Sequence, residues 1–214
     1  SYCTSASFKN QIKKLDKKMS VTAGTFTKVP FELEVWTKVA EDKYPKGFPL
    51  PFSDDPTQWI FHGHPCKSVV WDDIIKWTVP GPVRYDSTVL HIAVARLLGY
   101  QWPAELDSKM ELAEEQRALV RECEAFLSFA DDDGIVCIPS VGGEFSADDR
   151  LLRILKASYG EAWTDDTLST LLKNTDAPGK SLENWLRDKF IIQHCKLFGN
   201  RPFIWHIWDG LPDG

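Results

Sequence analysis

Histidine and cysteine come together at two places in this chain, His62-Gly63-His64-Pro65-Cys66 and His194-Cys195. Imidazole nitrogens and thiolates are zinc ligands, and two such pairs would supply the four donors of a tetrahedral site. The spacing follows no zinc pattern, so the competing reading is structural. In that reading the histidines hold a tight turn and Cys66 is a small apolar residue. With Asp54 and Asp55 nearby, His62 and His64 also offer the donor types of a metal-dependent hydrolase or nuclease.

Other groupings promise less. Asp131-Asp132-Asp133-Gly134 clusters carboxylates that suit magnesium or calcium, but a calcium loop needs alternating ligands and a distal Glu. It reads as an exposed turn. No Ser sits in a G-x-S-x-G elbow, and there is neither a G-x-G-x-x-G nor a phosphate-binding P-loop. The Asn/Asp-Pro-Pro-aromatic motif of amino-methyltransferases is absent too, and Asp54-Asp55-Pro56-Thr57 only echoes it. The remaining candidate is cationic: Lys13, Lys14, Lys17 and Lys18 on one expected helix, then Lys28. Such a row gives salt-sensitive, sequence-independent phosphate contacts. It serves equally well as a solvated helix face.

Charge is unevenly placed. The 214 residues carry a net −6, which argues against a freestanding basic nucleic-acid binder. Residues 1–30 hold six Lys against Asp16, a net +5, so the remainder is −11. A basic start on an acidic body suits a piece that touches phosphate at one end. The five Cys are scattered with no C-x-x-C, which predicts free thiols in a reducing cytoplasm. No run of 18 apolar residues exists, so no membrane partner is expected. Nine Trp call for a well-packed, irregular core.

The elements that must position these residues follow from periodicity. Phe8, Ile12, Leu15 and Met19 predict a helix over 5–19, capped by Ser5 or Ser7. A turn and a short extended segment ending at Val29-Pro30 follow, then a helix over 31–44. Residues 45–57 are proline-rich and form the best internal boundary. One helical turn at 56–61 and a brief strand at 68–71 are expected. Helices are expected at 86–98, 108–128, 147–158, 165–174 and 181–198. Strands are expected at 135–139 and at Phe203–Trp208. The fold class is α+β, mainly α. Three stretches result: 1–46, a basic helix, short strand and helix; 47–85, a proline- and tryptophan-rich connector; and 86–214, a helical region ending in a strand. Trp205 and Trp208 could offer base-stacking faces, but a two-sided core strand is preferred.

Several stretches together resemble a known family. The first is Cys3-Thr4-Ser5-Ala6-Ser7-Phe8, then Asp16 to Thr22 and Lys28-Val29-Pro30-Phe31-Glu32-Leu33. It resembles the end of a target-recognition region in large restriction-type methyltransferases. The second runs from Asp55 to Pro65. The most specific is C-terminal: Asp133-Gly134-Ile135-Val136, Phe145 with Asp148-Asp149, Tyr159-Gly160, Trp185-Leu186-Arg187-Asp188, Phe190, His194-Cys195-Lys196 and Arg201 to Gly210. That order resembles the post-catalytic region of BREX- and DISARM-type adenine DNA methyltransferases.

The resemblance implies a bacterial phage-defence parent that methylates the exocyclic amine of adenine with S-adenosylmethionine. The methyl-donor and catalytic motifs of that family precede this region and have no counterpart here. No catalytic residue and no cofactor are therefore assigned to this segment. Its implied partners are DNA through the parent enzyme, the catalytic domain of the same polypeptide, and other subunits of a defence complex. Lys13, Lys14, Lys17, Lys18, Lys28 and Arg201 are the DNA-contact candidates. A structural role for Arg201, bound to backbone carbonyls or Asp209, is the stronger reading. The alternatives are the hydrolase or nuclease built on His62 and His64, and a protein-interaction module.

Overall fold

The computed structural model describes residues 2–17, 21–53, 55 and 63–205, and the chain divides into two units, Ser1–Phe48 and Pro49–Gly214. In the first unit, helix α1 (Ala6–Leu15) starts where the Ser5 hydroxyl accepts from the Phe8 amide at 3.1 Å. That contact satisfies one of the free donors of the first turn. The helix ends at Leu15, short of the expected residue 19, because Asp16 turns to extended backbone. The extended segment expected before Pro30 is instead a helical turn, α2 (Ala23–Phe26). Phe26 there stacks on Phe8, 5.7 Å between ring centres, a contact that local propensity does not encode. Helix α3 (Leu33–Lys43) has no buried residue. The Tyr2 ring joins the pieces, meeting Phe8, Phe31 and Trp36 at 5.0–5.1 Å.

The second unit is also mainly helical. Strand β1 (Val69–Asp72) pairs antiparallel with β2 (Trp77–Pro80), Val70 opposite Val79. These are the only strands among the described residues. Strand β2 was not expected, because the hairpin lacks the usual turn residues. Its left-handed position is filled by Lys76, at φ +53°, where Gly or Asn is the common choice. The Asp72 carboxylate supplies the turn instead, accepting from the Ile74 and Ile75 amides at 2.7 and 3.0 Å.

Helix α4 (Val89–Leu97) is buried along its whole length, which makes it the axis of the core. Gly99, at φ +78°, closes it. Two short helices follow, α5 (Pro103–Leu106) and α6 (Glu114–Glu122), the latter continuing as a 3₁₀ stretch to Phe129. Helix α7 (Ala147–Tyr159) packs on α4 through Leu151, Ile154 and Leu155. Helix α8 (Thr167–Asn174) adds Leu171 and Leu172. The last helix runs from α9 (Leu182–Trp185) through a π turn, Leu186–Phe190, into α10 (Ile191–Leu197). Ser181 caps it, accepting from Asn184 at 3.2 Å.

Two expected strands need correction. Residues 135–139 form none, and the Cys137 and Ile138 carbonyls accept from Ala147 at the start of α7. Phe203, Ile204 and Trp205 are not in a strand either. The amides of Phe203 and Ile204 are engaged by His194, so they cannot enter a ladder. The rest of that stretch, His206 to Trp208, and the expected turn at 56–61 lie outside the described residues.

Candidate functional site

His64 and Gly63 come first, as the centre of the most chemically suggestive motif. His64 is buried, and its Nδ1 accepts from the Cys66 and Lys67 amides at 3.3 and 3.2 Å. An Nδ1 that accepts leaves the ring proton on Nε2, which faces Glu122 Oε2 at 3.7 Å. Burial, with the charges of Lys67 and Arg96, pushes the imidazole pKa down to about 3. His64 is therefore a neutral turn-holder whose Nδ1 lone pair is engaged, not an open metal ligand. His62 and Asp54 lie outside the described residues.

Cys66 behaves in the same structural way. Its thiol donates to the Ser158 carbonyl at 3.0 Å, and burial pushes its pKa up to about 12. Thiolates are the reactive and metal-binding form, and this thiol is far from it. Cys123 is buried with its pKa likewise raised to about 12. Cys3 and Cys137 are exposed. An Ellman titration of the native protein should thus show two fast thiols and a slower Cys195. Cys66 and Cys123 should react only on unfolding, and fast labelling of either would contradict the packing around them.

Gly63 explains why the motif is closed. Its φ is +70°, and a Cβ there would overlap the Arg96 guanidinium and the Trp102 ring. Arg96 Nε donates to the Gly63 carbonyl at 2.9 Å. The same guanidinium clasps Glu105 with two hydrogen bonds and lies 4.9 Å from the centre of the Trp102 ring. Arg96 and Glu105 are both nearly inaccessible, with side chains 1% and 7% exposed. Sequence reasoning missed this pair. The available signal was one Arg inside the otherwise apolar run Val89–Leu97.

His194 repeats the device of His64. Its Nε2 accepts from the Phe203 and Ile204 amides at 3.3 and 3.2 Å, tying the segment after α10 back to the helix. The ring lies among His91, Phe190, Phe198 and Phe203. Burial lowers the pKa values of His194 and His91 to about 4, and for His91 the charge of His194 adds to the effect. His64 and His194 thus each tie down a stretch of backbone through an accepting ring nitrogen.

In the acidic run the carboxylates of Asp131, Asp132 and Asp133 lie within 4.8 Å of one another, and Asp131 is engaged within the fold. Asp131 accepts from the Asp133 and Ile135 amides at 3.2 Å and from Arg150 at 2.6 Å. Burial alone would raise its pKa, but the hydrogen bonds from Arg150 and Asp133 overcome it and hold the carboxyl down to about 2. Asp132 and Asp133 are exposed.

The cationic candidates are the accessible ones. Lys13, Lys14, Lys17 and Lys28 are exposed, as is Lys9, and Lys18 lies outside the described residues. Arg201 is exposed, and its alternative partner Asp209 lies outside the described residues. In the same N-terminal unit an open cleft of about 380 Å³ runs along α3 between Phe31, Trp36, Tyr44 and Phe48. Among the described residues no helix is long and apolar enough to cross a membrane. No protein-family model matches the chain, and no curated protein or solved structure matches it.

Proposed function

We propose that the chain is a non-catalytic DNA-recognition and spacer segment of a bacterial adenine-specific DNA methyltransferase of restriction–modification or phage defence. The unit Ser1–Phe48 touches DNA phosphate through Lys13, Lys14, Lys17, Lys18 and Lys28, and the unit Pro49–Gly214 is scaffold. One contrast carries this reading. The described residues fit for chemistry in the His-Gly-His-Pro-Cys motif and at His194 are buried and hydrogen-bonded to backbone, whereas Lys13, Lys14, Lys17 and Lys28 stand in solvent. S-adenosylmethionine belongs, in this reading, to the catalytic domain of the parent. The other partners are that domain and further subunits of the defence complex.

The DNA half is tested by fluorescence anisotropy with a labelled duplex. Binding should weaken linearly in log–log with salt, and Lys13→Gln/Lys14→Gln/Lys17→Gln should flatten the slope by up to about 0.9 for each contact removed. An absence of duplex binding at about 50 mM salt, or an unchanged slope, would reject it. The parentage is tested by reading the gene upstream. An Asn-Pro-Pro-aromatic motif after a glycine-rich methyl-donor loop is expected, and its absence discards the methyltransferase assignment.

A second reading, an interaction module, is favoured by the apolar exposure of α3: Leu33, Val35 and Val39 are 67%, 51% and 44% exposed. It predicts binding to a purified partner subunit that Val35→Lys/Val39→Lys abolishes, with no DNA affinity at low salt.

A further inference from the structure

The lysines of the first unit are accompanied by an aromatic side chain that its own packing leaves half uncovered. Phe26 lies nearly parallel to Phe8, ring centres 5.7 Å apart and planes 28° from each other. Phe8 is buried, and Tyr2 packs against it edge-to-face with ring centres 5.0 Å apart, so Phe26 rests on a packed aromatic pair. Phe26 nevertheless remains 46% exposed. Phe8 packs against one side of the ring, and the residue otherwise stays open to solvent. Lys9 follows Phe8 directly, and Lys28 stands two residues beyond Phe26, both exposed.

A single exposed apolar side chain needs no explanation. This one sits in a stretch, residues 1–30, with six Lys and one acid. An apolar protein partner would have to desolvate those ammonium groups without compensation. A chain of phosphates with flat, apolar bases satisfies both features at once, cations on the backbone and rings on the base faces. The acidity of the rest of the chain does not forbid this, since exposed charges beyond about 8–10 Å are screened at ordinary salt. A paired duplex hides its base faces in the stack, so only an unpaired base can use such a ring.

We infer that Phe26, backed by Phe8 and accompanied by Lys9 and Lys28, is a stacking platform for an unpaired nucleobase, so that this unit takes single-stranded in preference to fully paired nucleic acid. The inference rests on the phosphate-contact reading above and names its substrate class. Stacking supplies the preference for single strands, and the lysines supply salt-dependent affinity that is common to both forms.

The full chain is titrated by anisotropy with an oligo(dT) of about fifteen nucleotides, a duplex of equal length, and an abasic oligomer with the same number of phosphates. Oligo(dT) should bind about five-fold or more tighter than either competitor. Phe26→Leu, which keeps apolar volume on Phe8, should bring oligo(dT) down to the duplex level, and Phe26→Trp should preserve the difference. Lys13→Gln/Lys17→Gln should weaken all three together. If oligo(dT), duplex and abasic oligomer bind equally, the platform is refuted while the phosphate reading stands. If none binds at low salt, both fall. If poly-glutamate binds as tightly as oligo(dT), an acidic protein partner replaces nucleic acid. The abasic comparison needs no protein variant, so it decides the matter even if Phe26→Leu does not fold.

Discussion

Gly63→Ala is expected to destabilise the second unit by roughly 4–7 kcal/mol, a large part of a typical domain's total stability. Two effects add. A non-glycine residue at φ +70° costs about 1–2 kcal/mol through contact of its Cβ with the carbonyl. The larger effect is displacement, since the methyl would occupy the space of the Arg96 guanidinium, the Trp102 ring and a Glu105 oxygen. Moving Arg96 strands Glu105 in the interior, and an uncompensated buried charge costs about 3–5 kcal/mol by itself. Gly99→Ala is the control. It has a similar φ of +78°, but its nearest neighbour is 3.6 Å away, so only the backbone cost of about 1–2 kcal/mol applies. Urea unfolding of the two variants should separate them clearly. Equal midpoints would mean that the contact around Gly63 yields without loss.

The second large effect is acid unfolding driven by histidine. In the folded chain His64 titrates near 3 and His91 and His194 near 4, against 6.5 for a free side chain. Burial is the main cause in all three. A neutral imidazole in the fold that is cationic in the unfolded chain gives the unfolded state more bound protons, so stability falls as pH falls. Above pH 6.5 the loss is absent; it grows as the pH falls below that, levelling off near 4 for His91 and His194 and near 3 for His64. A gap of about 2.5 units, as at His91 and His194, corresponds to roughly 3 kcal/mol, and the gap at His64 is wider. His91 and His194 influence each other, so their effects do not simply add, yet together the three are a large part of a typical total stability. Geometry gives the reason: protonating His64 Nδ1 or His194 Nε2 sets a donor against two backbone donors. Asp131 adds acid sensitivity only below 3.8, a separate window. Helicity followed by circular dichroism should therefore collapse between about pH 6 and pH 4. His194→Gln keeps an acceptor without a titrating nitrogen and should shift the midpoint to lower pH. Undiminished stability at about pH 4.5 would show that the buried histidines do not govern acid unfolding.

Local signals in the sequence were readable wherever the physics is local. Ser5 and Ser181 cap helices, Gly99 ends α4, and the apolar run at 89–97 is a buried helix. The α+β, mainly α class follows from the spacing of apolar residues over these segments. The errors share one cause, the choice of hydrogen-bond partner. Residues 135–139 have strand-like composition, but their carbonyls serve the start of α7. Phe203 and Ile204 alternate like a strand, but their amides belong to His194. Strand β2 exists because Asp72 and Lys76 make a turn that composition did not announce.

The candidate site divides in the same way. That the chain carries a basic beginning on an acidic body, and no cofactor-binding motif, was settled by residue identity, because charge and motif are properties of the string. Which histidines are buried, which thiols stay protonated and which arginine is enclosed were decided by tertiary structure. Those properties depend on desolvation and on hydrogen-bond partners supplied from 33 or 92 positions away, as Arg96 donates to Gly63 and Cys66 donates to the Ser158 carbonyl.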